Sequence, residues 1–266
     1  MSETGVLGPI VPAFAAIGRP AIAAFAIVGR VAMFAGRAIA RGATPPWYPL
    51  RLAEQLLLMG WFALPVAAIT ALFTGAVLAQ QIYIGGSRFN AESSVPTVVV
   101  IAMIRELGPL LTGLMIAGRA SSAMAAEIGT MRVTEQLDAM ETLRTDPYRY
   151  LIAPRLLACV IALPALVMVA NVIGIFGGYL LSIYKFGFNP SSYLETTARV
   201  IVSDDIVISL VKAAVFGFII ALMGCYHGMN AGGGAAGVGR ATTNGVVSAF
   251  VLILLANLLL TVAAFG

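Results

Sequence analysis

Two charged residues stand side by side in an otherwise apolar stretch of this sequence. Arg105 and Glu106 follow the run VPTVVVIAMI and precede LGPLLTGLMI. If this stretch is a helix that crosses a membrane, the pair lies about 15 Å from the start of the apolar run. Each charge costs about 2.5–3.5 kcal/mol to insert, so both side chains need a counter-charge or a polar cavity. The pair therefore predicts either a structural ion pair or a polar wall that meets a charged or zwitterionic headgroup.

A third charge, Lys212, lies about one and a half turns into a later apolar run. The simpler interpretation is that its long side chain snorkels to the membrane interface. The alternative is an ion relay formed with Arg105 and Glu106, as a secondary transporter or channel would need. Gly108 and Pro109 follow the charged pair directly, and they predict a kink because proline leaves a helix carbonyl without its donor.

The remaining residue types give no pattern typical of catalysis or metal binding. Cys159 and Cys225 lie in or beside apolar runs and predict small buried side chains. His227 has no partner at metal-ligand spacing, so we expect no metal and no cofactor. Residues 232–237 (GGGAAG) match GxGxxG formally, but no strand precedes them and no Walker-type lysine follows, which predicts a flexible loop. We expect no catalytic residues, and therefore no enzyme; any ATP hydrolysis must come from a partner chain.

The composition indicates an all-α integral membrane protein. Of the 266 residues, 60% are hydrophobic and 11% are charged, against about 25% charged residues in soluble domains. The net charge of +4 does not indicate a nucleic-acid partner, because the arginines are spread between apolar spans rather than gathered in one patch. Five transmembrane helices are expected, over residues 61–84, 95–126, 156–181, 206–224 and 245–265.

The N-terminal segment predicts a helix that lies in the membrane interface. Residues 9–42 are alanine-rich, but four arginines interrupt them and share one helical face: Arg19, Arg30, Arg37 and Arg41. The longest uncharged run is too short to span a bilayer, although a poorly inserted transmembrane helix is the alternative. We treat residues 1–266 as one domain, with an interfacial segment over 1–50 and a five-helix core over 51–266.

The basic residues predict the orientation of the chain. With a cytoplasmic N-terminus and a periplasmic C-terminus, inside segments hold Arg19, Arg30, Arg37, Arg41, Arg51, Arg132, Arg144, Arg149, Arg155 and Arg240. Outside segments hold only Arg88, Lys185 and Arg199. This excess follows the positive-inside rule, and it puts the charged segment between the second and third spans in the cytoplasm.

That cytoplasmic segment contains a short amphipathic stretch, residues 133–143. Its apolar face carries Val133, Leu137 and Met140, and its acidic face carries Glu135, Asp138 and Glu141. A short helix of this kind, held between two spans, suits docking into a groove of a partner protein. The alternative is a solvated connecting helix.

Small residues at GxxxG spacing predict close helix packing. Gly174 and Gly178 form one such pair and Gly224 and Gly228 another. The spacing does not decide between packing within one bundle and packing between two copies of the chain.

Two passages resemble the MlaE/YrbE permease family, the membrane subunits of ABC systems that carry lipids together with MCE-domain proteins. The first is RELGPLLTGLMIAGRASSAMAAEIGTMRVTEQLDAMETLRTDPYRYLIAPRLLA, over residues 105–158, and the second is GVGRATTNGVV, over 237–247. The likeness continues more loosely from about Trp61 to the end of the chain. The first passage is long and highly specific, whereas the first 50 residues match only in character.

The resemblance implies a homodimer in the bacterial inner membrane that encloses an outward-facing lipid cavity. It implies a cytosolic ABC ATPase dimer on the coupling helix at 133–143, a periplasmic hexamer of MCE-domain protein, and in many systems a STAS-domain subunit. Arg105 and Glu106 would lie on the cavity wall and Phe89 near its mouth, where phenylalanine has no hydroxyl for a headgroup.

The expected cargo is phospholipid, moved between the inner membrane and the MCE-domain protein to maintain outer-membrane lipid asymmetry. A permease for another hydrophobic lipid, such as a sterol or a fatty acid, is the alternative. An ATP-independent secondary transporter is disfavoured because five spans contain no inverted repeat. A lipid-modifying enzyme is disfavoured because the sequence offers no nucleophile–base pair.

Overall fold

The computed structural model describes the backbone of residues 10–265 and the side chains of residues 22, 23 and 25–264. Every regular element in this range is helical. The helices are α1 (Ile10–Gly42), α2 (Pro49–Met59), α3 (Leu64–Gly86), α4 (Val95–Ala102), α5 (Gly108–Ile116), α6 (Ser122–Val133), α7 (Gln136–Thr142), α8 (Ala153–Phe186), α9 (Pro190–Val200), α10 (Ser203–Met229) and α11 (Gly234–Phe265).

Five stretches are long and apolar enough to cross a membrane, which confirms the predicted class and the predicted number of spans. They are Pro49–Phe89, Glu92–Val133, Tyr148–Phe186, Ser203–Met229 and Gly234–Ala264. Each is longer than the sequence had indicated, because the first and last turns carry polar residues that a search for apolar runs leaves out. The helices therefore extend beyond a hydrocarbon core of about 30 Å.

Residues 225–244, between the fourth and fifth predicted spans and around GGGAAG, were expected to form a glycine-rich loop, and this is wrong for most of their length. α10 continues to Met229 and α11 begins at Gly234, so the connection is only four residues long. The glycines here allow close contact: a Cβ on Gly228 would lie 2.9 Å from Cβ of Ile128, and one on Gly237 would overlap the carbonyl of Gly232. Tertiary packing overrides the poor helix propensity of this glycine-rich sequence.

Both predicted GxxxG pairs pack within the chain. A Cβ on Gly174 would meet the Met103 side chain, and one on Gly178 would meet Val99 at 2.9 Å. A Cβ on Gly224 would lie 2.9 Å from the carbonyl oxygen of Ser121. These glycines therefore hold α8 and α10 against the second span, and they join the bundle of one protomer.

The second span is a helix in three pieces. Two π-helical turns, Met103–Leu107 and Ala117–Ser121, separate α4 from α5 and α5 from α6. The first turn ends just before Gly108 and Pro109, the pair that predicted a kink. Wide turns of this type often occur at functional sites, and this one contains Arg105 and Glu106.

α1 packs its C-terminal half on one end of the bundle. Phe34 is buried, and its ring centroid lies 5.5 Å from those of Tyr148 and Tyr226. Over its described length α1 is not among the five candidate spans. Arg30, Arg37 and Arg41 are exposed, as an interfacial helix requires, while the side chain of Arg19 lies outside the described residues.

Candidate functional site: an ion-pair cluster between three spans

Lys212 is completely buried in the bundle. Its Nζ donates to Glu106 Oε1 at 2.7 Å, to the carbonyl oxygen of Arg105 at 2.8 Å and to Thr261 Oγ1 at 2.8 Å. An ammonium group has three N–H donors, so all three are used. The prediction that Lys212 snorkels to the interface is therefore wrong: the bundle supplies a counter-charge and two further acceptors about 13 Å along α10.

Glu106 receives donors on both carboxylate oxygens. Lys212 and Thr261 contact Oε1, each at 2.7 Å, and Asn257 Nδ2 donates to Oε2 at 2.8 Å. The Thr261 hydroxyl also lies 2.8 Å from the carbonyl oxygen of Asn257, so its single proton has two possible acceptors. A carboxylate with three charged or polar donors tolerates a low-dielectric position that an isolated one would not.

The backbone explains why Lys212 reaches the Arg105 carbonyl. In an α-helix this oxygen would accept from the N–H of residue 109, but that residue is Pro109 and has none. The lysine thus supplies a donor at the position where the sequence REL-GP removes one. The π-helical turn, the proline and the buried ammonium therefore lie together at this point of the second span.

Arg105 pairs with a different residue from its neighbour. Its Nε lies 3.0 Å from Asp205 Oδ1, in the first turn of α10. The side chain of Asp205 is 9% exposed and that of Lys212 is fully buried, whereas those of Arg105 and Glu106 are 35% and 34% exposed. In each pair the buried residue, Asp205 or Lys212, holds the more exposed one, Arg105 or Glu106. We call these residues the ion-pair cluster: Arg105, Glu106, Asp205, Lys212, Asn257 and Thr261.

Sequence analysis missed three members of this cluster. Asn257 and Thr261 are four residues apart in the last span, so they share one helix face, and an isolated polar pair in ANLLLT was a signal that could have found them. Asp205 precedes its apolar run directly and looks like an ordinary first-turn acid.

Phe89 was predicted at the mouth of the cavity. It does not contact the ion-pair cluster within the described part of the chain. It ends the short 3₁₀ turn Ser87–Phe89 after α3, and its side chain is 82% exposed. Within the described part of the chain it forms no ring contact or hydrogen bond with Arg105 or Glu106. Its contact with lipid stays a prediction.

The predicted coupling helix is shorter than expected and packs differently. α7 covers Gln136–Thr142, while Val133 is the last residue of α6 and Glu135 adopts a left-handed conformation between them (φ 60°). Leu137 is 1% exposed and Met140 is half-buried, and both pack against the core of the chain. The apolar ridge is therefore not available to a partner's groove, because it anchors α7 to its own bundle.

The outward surface around α7 is polar. Glu135, Asp138 and Glu141 are exposed, and Asp138 pairs with Arg132 at 2.6 Å. Nearby, Glu127 of α6 binds Arg155 of α8 at 2.6 Å, and the side chain of Arg155 is only 2% exposed. This second pair ties the second span to the third beside α7. Any role of these residues in coupling stays a prediction.

Comparison with known proteins places this architecture in a family. The family model described as Permease MlaE matches residues 52–263. A probable ABC transporter permease protein of Rickettsia bellii is 53% identical over 228 residues, covering 86% of this chain and 88% of that protein. The intermembrane phospholipid transport system permease protein MlaE of Haemophilus influenzae is 35% identical over 232 residues, covering 87% of this chain and 88% of the relative.

A further relative comes from a plant. The chloroplastic protein TRIGALACTOSYLDIACYLGLYCEROL 1 of Arabidopsis thaliana is 37% identical over 208 residues, which cover 78% of this chain and 59% of that protein. The family model, over residues 52–263, covers nearly all of the five spans and contains the whole ion-pair cluster. The chain belongs to the MlaE permease family.

Proposed function

We propose that this chain is the membrane permease of an ABC transporter that moves phospholipid between the inner membrane and a periplasmic MCE-domain protein. This transport would serve outer-membrane lipid asymmetry. The family and its ABC permease relatives support the transporter class, and the name of the Haemophilus relative, an intermembrane phospholipid transport permease, supports the cargo. A separate cytosolic ATPase dimer supplies the energy, and the proposed complex includes a STAS-domain subunit.

One observation carries the proposal: Arg105 and Glu106 each keep about a third of the side chain exposed at membrane depth. Hydrocarbon cannot solvate a guanidinium or a carboxylate, so this surface faces protein or a polar cavity. A paired cation and anion, both reachable from one side, match the phosphate and the amine of a zwitterionic headgroup. A sterol carries no charge and a fatty acid carries only a negative one, so neither lipid offers a partner to both exposed groups.

A second copy of the chain would close this cavity. α11, which supplies Asn257 and Thr261, is the least covered of the five spans, with 11% of its most apolar window buried. A homodimer that brings two such surfaces together encloses the half-exposed charges and leaves the space between them for lipid.

The coupling mechanism follows from the contacts of α7. Leu137 anchors the helix to the bundle, and the Glu127–Arg155 pair joins the second and third spans beside it. ATP-driven closure of the ATPase pair, acting on exposed Glu135 and Glu141, would move both spans together. The cavity would then narrow and expel its lipid towards the MCE hexamer. This assignment requires the α7 end to face the cytoplasm, as the arginine distribution predicts.

The experiment is ATP-dependent transfer of labelled phospholipid from proteoliposomes to the MCE-domain acceptor, with the complete complex. The double variant Glu135→Lys, Glu141→Lys should keep ATP hydrolysis but lose most of the coupled transfer. The control Glu195→Lys changes an exposed acid in α9, outside the α7 surface, and should transfer normally.

Two results would contradict the proposal. Unchanged coupling in the α7 variant would remove α7 from the transmission pathway. Flux by this chain alone, driven by an ion gradient without the ATPase, would favour a secondary transporter instead.

A further inference from the structure

Two grooves meet at the α7 end of the bundle, and none of their lining residues belongs to the ion-pair cluster. The first, the apolar groove, has a volume of about 350 Å³ and is lined by Trp47, Tyr48, Leu52 and Leu157, with Arg41 and Arg149 at its edge. It lies where α1 ends and where the first and third spans begin.

The second, the arginine groove, has a volume of about 460 Å³ and adjoins the first. Its cationic lining residues are Arg37, Arg41 and Arg144, and its acidic ones are Glu141 and Asp146. Arg41 lines both grooves, so the apolar and the cationic surfaces are continuous. Together the two grooves contain four arginines and two carboxylates, which leaves a net charge of +2.

The ion pairs in this region do not use all of the positive charge. Asp146 binds Arg41 at 2.9 Å and lies 3.9 Å from Arg149 Nε. Among the described residues, neither Arg37 nor Arg144 has a carboxylate within 4 Å. Both side chains are exposed, so two guanidinium groups face the mouth of the arginine groove with binding capacity to spare.

The apolar groove lies at the start of the first and third spans, which is where the headgroup region of a bilayer is expected. Trp47 is 72% exposed, and tryptophan at a span boundary is typical of the membrane interface. Leu50 and Leu157 beside it are also exposed. An amphiphile with an acyl chain and an anionic head matches this pair of surfaces, whereas a soluble acidic peptide would leave the apolar groove unfilled.

We propose that the two grooves form one site for an anionic phospholipid of the adjoining leaflet. The acyl chain lies against Trp47 and Leu157, and the phosphate lies between Arg37, Arg41 and Arg144, since guanidinium groups bind phosphate oxygens in pairs. Only the identification of this leaflet as cytoplasmic rests on the proposed function. The site is a resident-lipid site, separate from the transported lipid.

Such a lipid would add a second link between two parts of the chain that the Arg41–Asp146 pair already joins. Arg37 belongs to α1, whereas Arg144 follows α7 by two residues. A phosphate held between them braces the interfacial helix against the segment that carries α7. Anionic lipid would thereby stiffen the part of the permease on which the ATPase is proposed to act.

The chain offers a built-in probe, because Trp47 and Trp61 are its only tryptophans. The variant Trp61→Phe leaves Trp47 alone in the full chain. It is reconstituted in vesicles of phosphatidylcholine and phosphatidylglycerol, with bromine on the acyl chains of one lipid or of the other. Quenching of Trp47 by each brominated lipid, at equal mole fraction, gives the relative occupancy of the groove.

We expect brominated phosphatidylglycerol to quench Trp47 with a preference on the order of tenfold over brominated phosphatidylcholine, as two unpaired arginines would give. The double variant Arg37→Gln, Arg144→Gln should reduce this preference to near one, and it leaves the Arg41–Asp146 pair intact. The matched control Arg30→Gln, Arg240→Gln removes two exposed arginines outside both grooves and should keep the preference.

Three results would overturn the proposal. Equal quenching of Trp47 by the two lipids would mean that the groove holds no selected lipid. An equal preference at Trp61, measured in the variant Trp47→Phe, would mean that the whole chain simply gathers anionic lipid around it. Loss of the preference in the control variant would assign it to general surface charge. None of these measurements depends on transport, so a negative result here would not contradict the proposed function.

Discussion

The ion-pair cluster and the Glu127–Arg155 pair near α7 both join a buried charge to a more exposed one, but the number of donors differs. In the cluster, Lys212 is fully buried and all three of its donors are used. Near α7, Arg155 is 2% exposed, yet its Nε and one Nη have no hydrogen-bond partner among the described residues. The Lys212–Glu106 pair at the centre of the cluster is thus held by several hydrogen bonds, whereas the α7 pair relies on a single carboxylate.

The number of hydrogen bonds at each pair determines how the pair responds when a ligand or a partner touches it. Glu106 keeps several donors and Arg105 keeps its ion pair with Asp205, so both side chains can meet a ligand without losing these internal bonds. A buried cation that depends on one exposed carboxylate is sensitive to whatever touches that carboxylate. Movement near α7 would therefore change the Glu127–Arg155 ion pair, whereas the several bonds of Glu106 keep its side chain in place.

The largest expected effect comes from removing the buried lysine. Lys212→Met leaves the Glu106 carboxylate without its counter-ion and the Arg105 carbonyl without a donor, which should destabilise the chain by about 3–5 kcal/mol. Thermal unfolding of the purified protein in detergent measures the change. Lys185→Met is the control, because Lys185 is an exposed lysine whose single hydrogen bond within the described residues goes to Gln80.

The double variant Lys212→Met, Glu106→Gln tests the cause of that loss. It removes both charges together, so it should recover part of the stability that Lys212→Met loses. If the double variant is as unstable as the sum of the single ones, the two residues are not coupled and the network account fails.

A smaller effect is expected at the α7 pair. Glu127→Ala leaves the Arg155 guanidinium buried without a counter-charge, and we expect a loss of about 2–4 kcal/mol by the same unfolding assay. Asp138→Ala breaks the exposed Arg132–Asp138 pair nearby and should cost under about 1 kcal/mol. Equal losses in the two variants would mean that burial of Arg155 does not matter.

The smallest effect concerns the polar residues of α11. Thr261→Val removes one acceptor from Lys212 and one donor to Glu106, while the ion pair itself remains. We expect about 1–2 kcal/mol of destabilisation, the usual cost of an unsatisfied buried group. Thr242→Val is the matched control on the same helix, because the Thr242 hydroxyl donates to the carbonyl of Gly239, within its own helix. A Thr261 variant as stable as this control would remove Thr261 from the network.

The sequence predicted the fold because the signals were large. Runs of more than twenty apolar residues permit few structures in a bilayer, and the arginines between them follow one rule of topology. Residues 225–244 were wrongly assigned to a loop because glycine lowers helix propensity locally, and nothing in the local sequence shows that Gly228 must fit against α6.

The candidate site could be predicted only in part. Arg105 and Glu106 were evident because charge inside an apolar run is costly. Their partners lie about 100 to 150 residues further along the chain, and pairing at that distance depends on which helices pack together. The apolar ridge of α7 showed the opposite difficulty: its periodicity was correct, but periodicity alone does not tell whether a ridge packs on its own bundle or on a partner.

If Arg105 and Glu106 face transported phospholipid, they determine how much phospholipid co-purifies with the chain. Mass spectrometry of the co-purified lipids measures this amount. Arg105→Gln should retain several-fold less phospholipid than the parent chain, while Arg105→Lys should restore much of it. The control Arg88→Gln, an exposed arginine in the turn after α3, should retain the parental amount. If Arg105→Gln unfolds at a normal temperature and still carries the parental phospholipid, the cluster only holds the bundle together, and the account is contradicted.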